Sequence, residues 1–317
     1  MSGELARRRV KVVSTCFQYS EVCEKLIDSI EFTHVRPNLQ GFLSKDLAAI
    51  CAGAQIAVIG DDQADEGFFT ASSELKLLIR WGAGTDNVDF EAAAKANVQV
   101  LHTPGLFGED VADMALSMAI SLVRNIPPNS QKILEGEWPK ETTLSFRSVA
   151  VGIMGSGAVG RELQRLIETF GPVPKVYDPF LSGTTEPTNL VMSLDQLVTG
   201  TNVLFVCAPL TEETLGVVNP NLVSKMTYPR FVVNVSRGEL LEEAGILHLL
   251  LQDEIQGLGL DVFENEPPLN LDPALSRRNI VVSSHNGSNT HRSISLANAK
   301  VDELITMYVN RYGQVEI

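Results

Sequence analysis

Short apolar runs rich in β-branched residues alternate with stretches of helical period along the whole chain, the pattern of strand-helix-strand units around parallel sheets. The first five runs lie at residues 10–15, 32–35, 56–59, 77–80 and 98–102. Segments of helical spacing separate them, among them 44–51, where Ser44 is placed to cap the N-terminus, and 89–96. Six further runs follow at 149–154, 175–177, 203–207, 231–235, 257–261 and 280–284. Six strands with intervening helices match the count of a doubly wound nucleotide-binding sheet, so the expected class is α/β.

The segment 109–124 places Val111, Ala112, Ala115, Met118, Ala119 and Leu122 on one stripe, which predicts a buried helix bridging the two sets of strands. A last helix over 294–308 comes after the second sheet is complete and is free to return to the first. The chain would then cross twice, near 103–108 and 286–291, giving a discontinuous domain of 1–103 with 290–317 and an inserted domain of 104–289. Residues 127–147, with Pro-Pro, Gly-Glu-Trp-Pro and Lys-Glu-Thr-Thr, read as a surface loop or short helix.

Composition narrows the function classes. A length of 317 residues suits about two domains, and 44% hydrophobic with 20% charged residues is ordinary globular composition. Twenty-five basic against 39 acidic residues give a net charge of −14, which argues against nucleic acid or an anionic membrane as partner. No apolar run approaches the roughly 20 residues of a membrane span, and Arg7, Arg8 and Arg9 are followed by only a short apolar stretch, so neither anchor nor signal peptide is expected. Cys16, Cys23, Cys51 and Cys207 show no metal-binding spacing; reduced thiols, a cytoplasmic location and no metal site are the expectation.

The chemistry begins at Gly155-Ser156-Gly157-Ala158-Val159-Gly160, a G-x-G-x-x-G that follows one strand and opens the helix 159–170. Gly155 permits the tight turn, Gly157 lets backbone approach a pyrophosphate, and Gly160 allows close helix-to-strand packing. Asp178 follows the next strand, 23 residues after Gly155, where an acid holds ribose hydroxyls. Its carboxylate would repel a 2′-phosphate and no Arg or Lys occurs in 179–183, which favours NAD over NADP.

Ligands in such sheets bind beyond the carboxyl ends of the strands. Three groups stand there: Arg237 in Asn-Val-Ser-Arg-Gly, Glu266 in Asp-Val-Phe-Glu-Asn-Glu-Pro-Pro, and His285 in Ser-Ser-His-Asn-Gly-Ser. Each alone has a plain reading as surface ion pair, loop residue or packing residue. Together beside a nucleotide loop they suit hydride transfer to a 2-keto acid: Arg237 orients the substrate carboxylate and carbonyl, His285 gives the proton, and Glu266 fixes the imidazole tautomer. His291 is a rival proton donor, lying past the strand.

These motifs resemble the D-isomer-specific 2-hydroxyacid dehydrogenase family, over nearly the whole chain after residue 75. The likeness includes Gly82-Ala83-Gly84-Thr-Asp-Asn-Val-Asp89, Thr103-Pro-Gly105, the glycine loop, Cys207-Ala208-Pro209-Leu-Thr-Glu-Glu-Thr, Gly259-Leu-Asp261-Val-Phe, and the three segments above. It implies a Rossmann nucleotide domain inserted into a flavodoxin-like substrate domain, with catalysis between them by Arg237, Glu266 and His285. It also implies cofactor contacts at Cys207, Ala208, Pro209 and Asp261, the last near the nicotinamide carboxamide. Backbone N–H groups of the Ala83-Gly84 turn would hold the carboxylate of a small anionic substrate. Such enzymes are usually dimers through the nucleotide domain, so 109–124 is either a subunit interface or an intramolecular core helix.

Departures are also visible. Ala158 stands where a basic residue commonly assists the pyrophosphate, which implies weaker binding or another donor. The stretch between Trp138 and Val149 lacks the usual Gly-x-Glu-Leu-x-Gly lead-in, and His102 replaces a frequent Asn. Arg80 and Trp81 precede the Gly-Ala-Gly turn and either shape substrate choice or pack the strand end; Trp81, Gly82, Ala83 and Gly84 are taken as substrate contacts. Formate-type relatives usually carry Gln at the place of Glu266. Phosphite-type members and a non-catalytic, NAD-sensing dimeric scaffold both remain compatible with the three residues.

Overall fold

The computed structural model describes residues 9–37, 41–181, 190, 191 and 193–312, so Arg7 and Arg8 and the end of the 179–183 stretch lie outside the described residues. The chain divides into two compact units, Met1–Leu106 with His291–Ile317, and Phe107–Thr290.

The first unit holds β1 (Val10–Ser14), β2 (Ile30–His34), α1 (Ser44–Ile50), β3 (Ile56–Ile59), α2 (Glu66–Ala71), β4 (Leu77–Arg80), α3 (Phe90–Lys95) and β5 (Gln99–His102). All pairs are parallel, and the order β2-β1-β3-β4-β5 is the flavodoxin-like arrangement, with its switch between β1 and β3. Every residue of β3 and β4 is buried, as both-face coverage of a parallel sheet requires. Leu47, Phe68, Leu78 and Ala92 pack one face. Asp65 and Asp89 cap α2 and α3 by accepting from Phe68 N and Ala92 N. Ser44 does not cap α1, as the sequence suggested. Leu43 is the N-cap residue, and the Ser44 hydroxyl instead donates to the Asp65 carboxylate that caps the neighbouring helix.

The second unit holds α4 (Gly108–Val123), α5 (Ile126–Leu134), β6 (Val151–Met154), α6 (Ala158–Phe170), β7 (Lys175–Tyr177), α7 (Leu194–Val198), β8 (Val203–Val206), α8 (Pro220–Ser224), β9 (Phe231–Asn234), α9 (Glu243–Leu251), β10 (Gly257–Leu260) and β11 (Ile280–Val282). Its sheet is also wholly parallel, in the order β11-β10-β9-β8-β6-β7, so β6 sits beside the switch point at the centre. A parallel bridge from Val176 to Leu190 continues the sheet past β7. Several expected runs overshoot their strands by a residue or two, because Cys207, Asp261 and Ser283 still donate to the neighbouring strand while the chain turns away into loops.

Helix α4 belongs to the second unit rather than bridging the two sheets. It covers β9 to β11 and is closely packed because Gly257 and Gly259 present no side chain: a Cβ there would lie 3.1 Å from Leu122 Cβ and 3.2 Å from Met118 Cβ. Its apolar stripe is thus buried within one chain. In place of the missing lead-in, Phe146 packs edge-on to Phe170 at 5.8 Å, and Arg147 donates to the Phe170 carbonyl at the end of α6. The last helix, α10 (His291–Tyr312), joins the first unit through Tyr19 Oη to Asp302 at 2.7 Å and Trp81 Nε1 to Asn298 at 2.8 Å. No described helix is long and apolar enough to cross a membrane, and the four cysteines are free thiols.

Candidate active site

The glycine loop joins β6 to α6 at the carboxyl edge of the second sheet. Gly155 has φ +97°, and a Cβ on it would lie 2.7 Å from Ala208 N, so this turn excludes any side chain. A Cβ on Gly160 would fall 2.0 Å from the Gly155 carbonyl oxygen, whereas Gly157 faces open space within 4 Å. That pairing of a filled interior with a bare outer face suits a dinucleotide pyrophosphate at the helix N-terminus. Asp178 accepts from Ser156 N at 2.8 Å and from Phe180 N at 2.9 Å, which fixes its carboxylate at the end of β7. Burial pushes the Cys207 thiol up to about 12, so it is a neutral neighbour of the loop.

Arg237 stands at the end of β9. Asn234, fully buried, accepts from Ser236 N at 3.1 Å and donates to Arg237 O at 2.7 Å, locking the turn. The Ser236 hydroxyl ties that turn to Ala208 O. Gly238 follows because a Cβ there would collide at 1.8 Å with Phe263 C. This contact brings the β9 turn against the loop after β10 that carries Glu266.

His285 adopts a left-handed φ of +54°, unusual for a side chain of this size. Asp261 holds it there. Its carbonyl accepts from His285 N at 2.7 Å, and its carboxylate accepts from Asn286 N and Gly287 N at 2.9 Å each. Glu266 then closes the set, with Oε2 at 2.9 Å from His285 Nδ1 and Oε1 accepting from Phe263 N at 3.0 Å. Burial raises the Glu266 carboxyl. The His285 hydrogen bond and charge, the Phe263 N–H and the Arg237 charge more than offset that rise and hold it below the ordinary value. The structure therefore brings Arg237, Glu266 and His285 onto neighbouring loops of one sheet edge, while Asp261 serves as the brace of the histidine loop.

In the first unit, the turn at 82–84 follows β4. The Thr103 hydroxyl accepts from Gly82 N at 2.8 Å, and Thr103 N donates to Gly82 O at 3.1 Å. Among the described residues, neither the Ala83 nor the Gly84 N–H donates a hydrogen bond, leaving two amide donors in one exposed turn, as an anion site needs. The side chains beside it are engaged elsewhere. Arg80 is buried behind Gly82 and pairs with Asp61 at 3.0 Å, Trp81 is 4% exposed with its indole on Asn298, and His102 Nδ1 lies 3.1 Å from Ala83 O. His291 starts α10 in the first unit, in a different unit from the Glu266 pair.

Residues 116–287 match the family profile described as the NAD-binding domain of D-isomer-specific 2-hydroxyacid dehydrogenases. The chain belongs to that family. The D-2-hydroxyacid dehydrogenases are oxidoreductases, and the matched domain is the one that takes the nicotinamide cofactor. Similar curated proteins include a hydroxypyruvate reductase of Thermotoga maritima, 31% identical over 69% of this chain and 73% of that one. A D-3-phosphoglycerate dehydrogenase of Archaeoglobus fulgidus is 28% identical over 75% of this chain, which spans only 46% of that longer protein. Among solved structures, a glyoxylate/hydroxypyruvate reductase of Sinorhizobium meliloti in complex with NADP and malonate aligns over 95% of this chain, with TM-score 0.80 and 24% identity, and so shares the fold. This dehydrogenase fold uses residues that motif reading passed over. Asn234 and Thr103 sat inside quoted motifs without a role, and Arg161, one turn into α6, donates to Ser156 O at 2.8 Å.

Proposed function

We propose that the protein reduces a small anionic 2-keto acid, or oxidises the matching D-2-hydroxy acid, with NAD(H). The observation that supports it most is the 2.9 Å His285–Glu266 contact at the sheet edge that carries Arg237 and the glycine loop. When bound, the nicotinamide supplies or accepts the hydride. The protein's residues do the rest. Glu266 accepts at Nδ1 and holds the ring so that Nε2 carries the exchangeable proton for the substrate oxygen. Arg237 draws the keto acid by its carboxylate and carbonyl and stabilises charge developing on that oxygen. The Ala83 and Gly84 N–H groups are the first unit's own anion-binding donors.

NAD is preferred over NADP because the fixed Asp178 carboxylate meets the adenosine ribose and would repel a 2′-phosphate. A homodimer is part of this reading. Helix α5 buries none of its residues, and Ile133, Leu134 and Trp138 are 49%, 88% and 77% exposed, which sedimentation would test as a self-association face.

The experiment is NADH or NADPH consumption with glyoxylate, pyruvate, hydroxypyruvate and 2-ketogluconate, and NAD reduction with phosphite. Turnover of a 2-keto acid with NADH is expected. Turnover of phosphite alone moves the assignment to phosphite-type chemistry, which keeps the same three residues. Tight NADH binding without any turnover replaces an enzyme with a nucleotide-sensing scaffold.

A further inference from the structure

The glycine loop lacks a basic residue at Ala158, and the structure gives the reason for the small side chain. A Cβ on Gly108 would lie 3.0 Å from the Ala158 Cβ, C and O atoms, so these two small residues let the N-terminal ends of α4 and α6 cross in close contact. Helix α6 carries no acidic residue in its first turn, and the carboxylate held beside that end, Asp178, is taken up by Ser156 N and Phe180 N. Arg161 adds a full positive charge to the same end. Its side chain runs back toward the helix N-terminus and Nη1 donates to Ser156 O at 2.8 Å, on the peptide next to the one whose N–H meets Asp178. Arg161 is exposed, and no carboxylate of a described residue pairs with it. The neighbouring Arg165, by contrast, forks onto Glu162. An arginine held at the positive end of a helix works against the dipole unless an anion joins it.

We infer that Arg161 takes the place of the cation that Ala158 leaves out and binds the cofactor pyrophosphate, with its remaining guanidinium donors directed to the phosphate oxygens. The inference rests on the dinucleotide reading of the loop. It makes Arg161 a binding residue contributed from the second turn of α6, on the same helix face as Gly157 and four residues after it.

The test is titration of the whole protein with NADH, followed by fluorescence, for wild type, Arg161→Gln and Arg161→Lys, at low and high salt. Adenosine, which has base and ribose but no phosphate, is titrated in parallel. Arg161→Gln should weaken NADH about tenfold, the scale of one ionic hydrogen bond, and reduce the salt sensitivity of binding. Arg161→Lys should stay within about threefold of wild type because the charge is kept. Adenosine affinity should not change. An NADH affinity of Arg161→Gln within twofold of wild type overturns the inference, and so does an equal loss for adenosine, which would make Arg161 only a brace for Ser156. Wild type that fails to bind NADH overturns the dinucleotide reading itself, an outcome distinct from either.

Discussion

The two units use the same construction, an all-parallel sheet with helices on both faces, yet they present different chemistry at the carboxyl ends of their strands. In the second unit the strand ends carry the groups of the proposed site: Asp178, Arg237, and the Glu266–His285 pair. In the first unit the polar and aromatic side chains at the corresponding ends are taken up by partners within the unit, as Arg80 is by Asp61, Thr15 by Asp62, and Trp81 by Asn298 on α10. What the first unit leaves available is backbone, the N–H groups of Ala83 and Gly84. On the proposed function, one sheet edge acts through titratable side chains and the other through fixed backbone dipoles. Substitutions in the two should therefore fail in different ways.

Arg237→Ala should give the largest loss, roughly 10³-fold in kcat/KM for the best keto acid, because carboxylate anchoring and oxyanion stabilisation go together. NADH affinity should remain near wild type; a loss confined to KM would move Arg237 toward simple binding. Glu266→Gln comes next, with about tenfold lower kcat for reduction and a pH profile whose basic limb moves to lower pH, since the amide no longer favours the charged imidazole. In wild type the depressed Glu266 carboxyl keeps the pair intact above the ordinary carboxylate range, and the pair is lost only as pH falls through that lowered value. An unmoved basic limb in Glu266→Gln would break the proposed coupling.

In the first unit, Thr103→Val removes the hydroxyl that accepts from Gly82 N and should raise KM about fivefold with little change in kcat. A fall in kcat instead would erase the contrast between the two edges. Trp81→Phe should be the mildest: about 1 kcal/mol of stability lost with the indole bond to Asn298, seen as a lower Tm, and no change in substrate preference. A changed preference among keto acids would return Trp81 to the substrate contacts that the sequence suggested.

The strands, the glycine loop and the three strand-end groups were readable because each obeys a local rule: β-branched runs, glycine spacing, polar residues just past an apolar stretch. The state of each strand-end side chain was not readable, because it depends on partners far along the chain. Trp81 and Asn298 are 217 residues apart, and Tyr19 and Asp302 are 283 apart. Nothing local distinguishes Asp178, held toward the glycine loop, from Asp62, buried under Thr15 and Phe42 N. The Ser44 cap failed for a related reason, since a serine at a helix start can serve either its own helix or a neighbouring acid, here Asp65. Arg161 was hidden because helical geometry, rather than the spacing of the glycine motif, carries its guanidinium back to the loop.

On the proposed function, proton transfer belongs to the second unit's His285 and depends on its contact with Glu266. The most direct test is kcat for keto-acid reduction by His285→Ala, measured beside NADH affinity. A fall of at least about 100-fold in kcat with NADH affinity unchanged is expected. Turnover near the wild-type rate would contradict it.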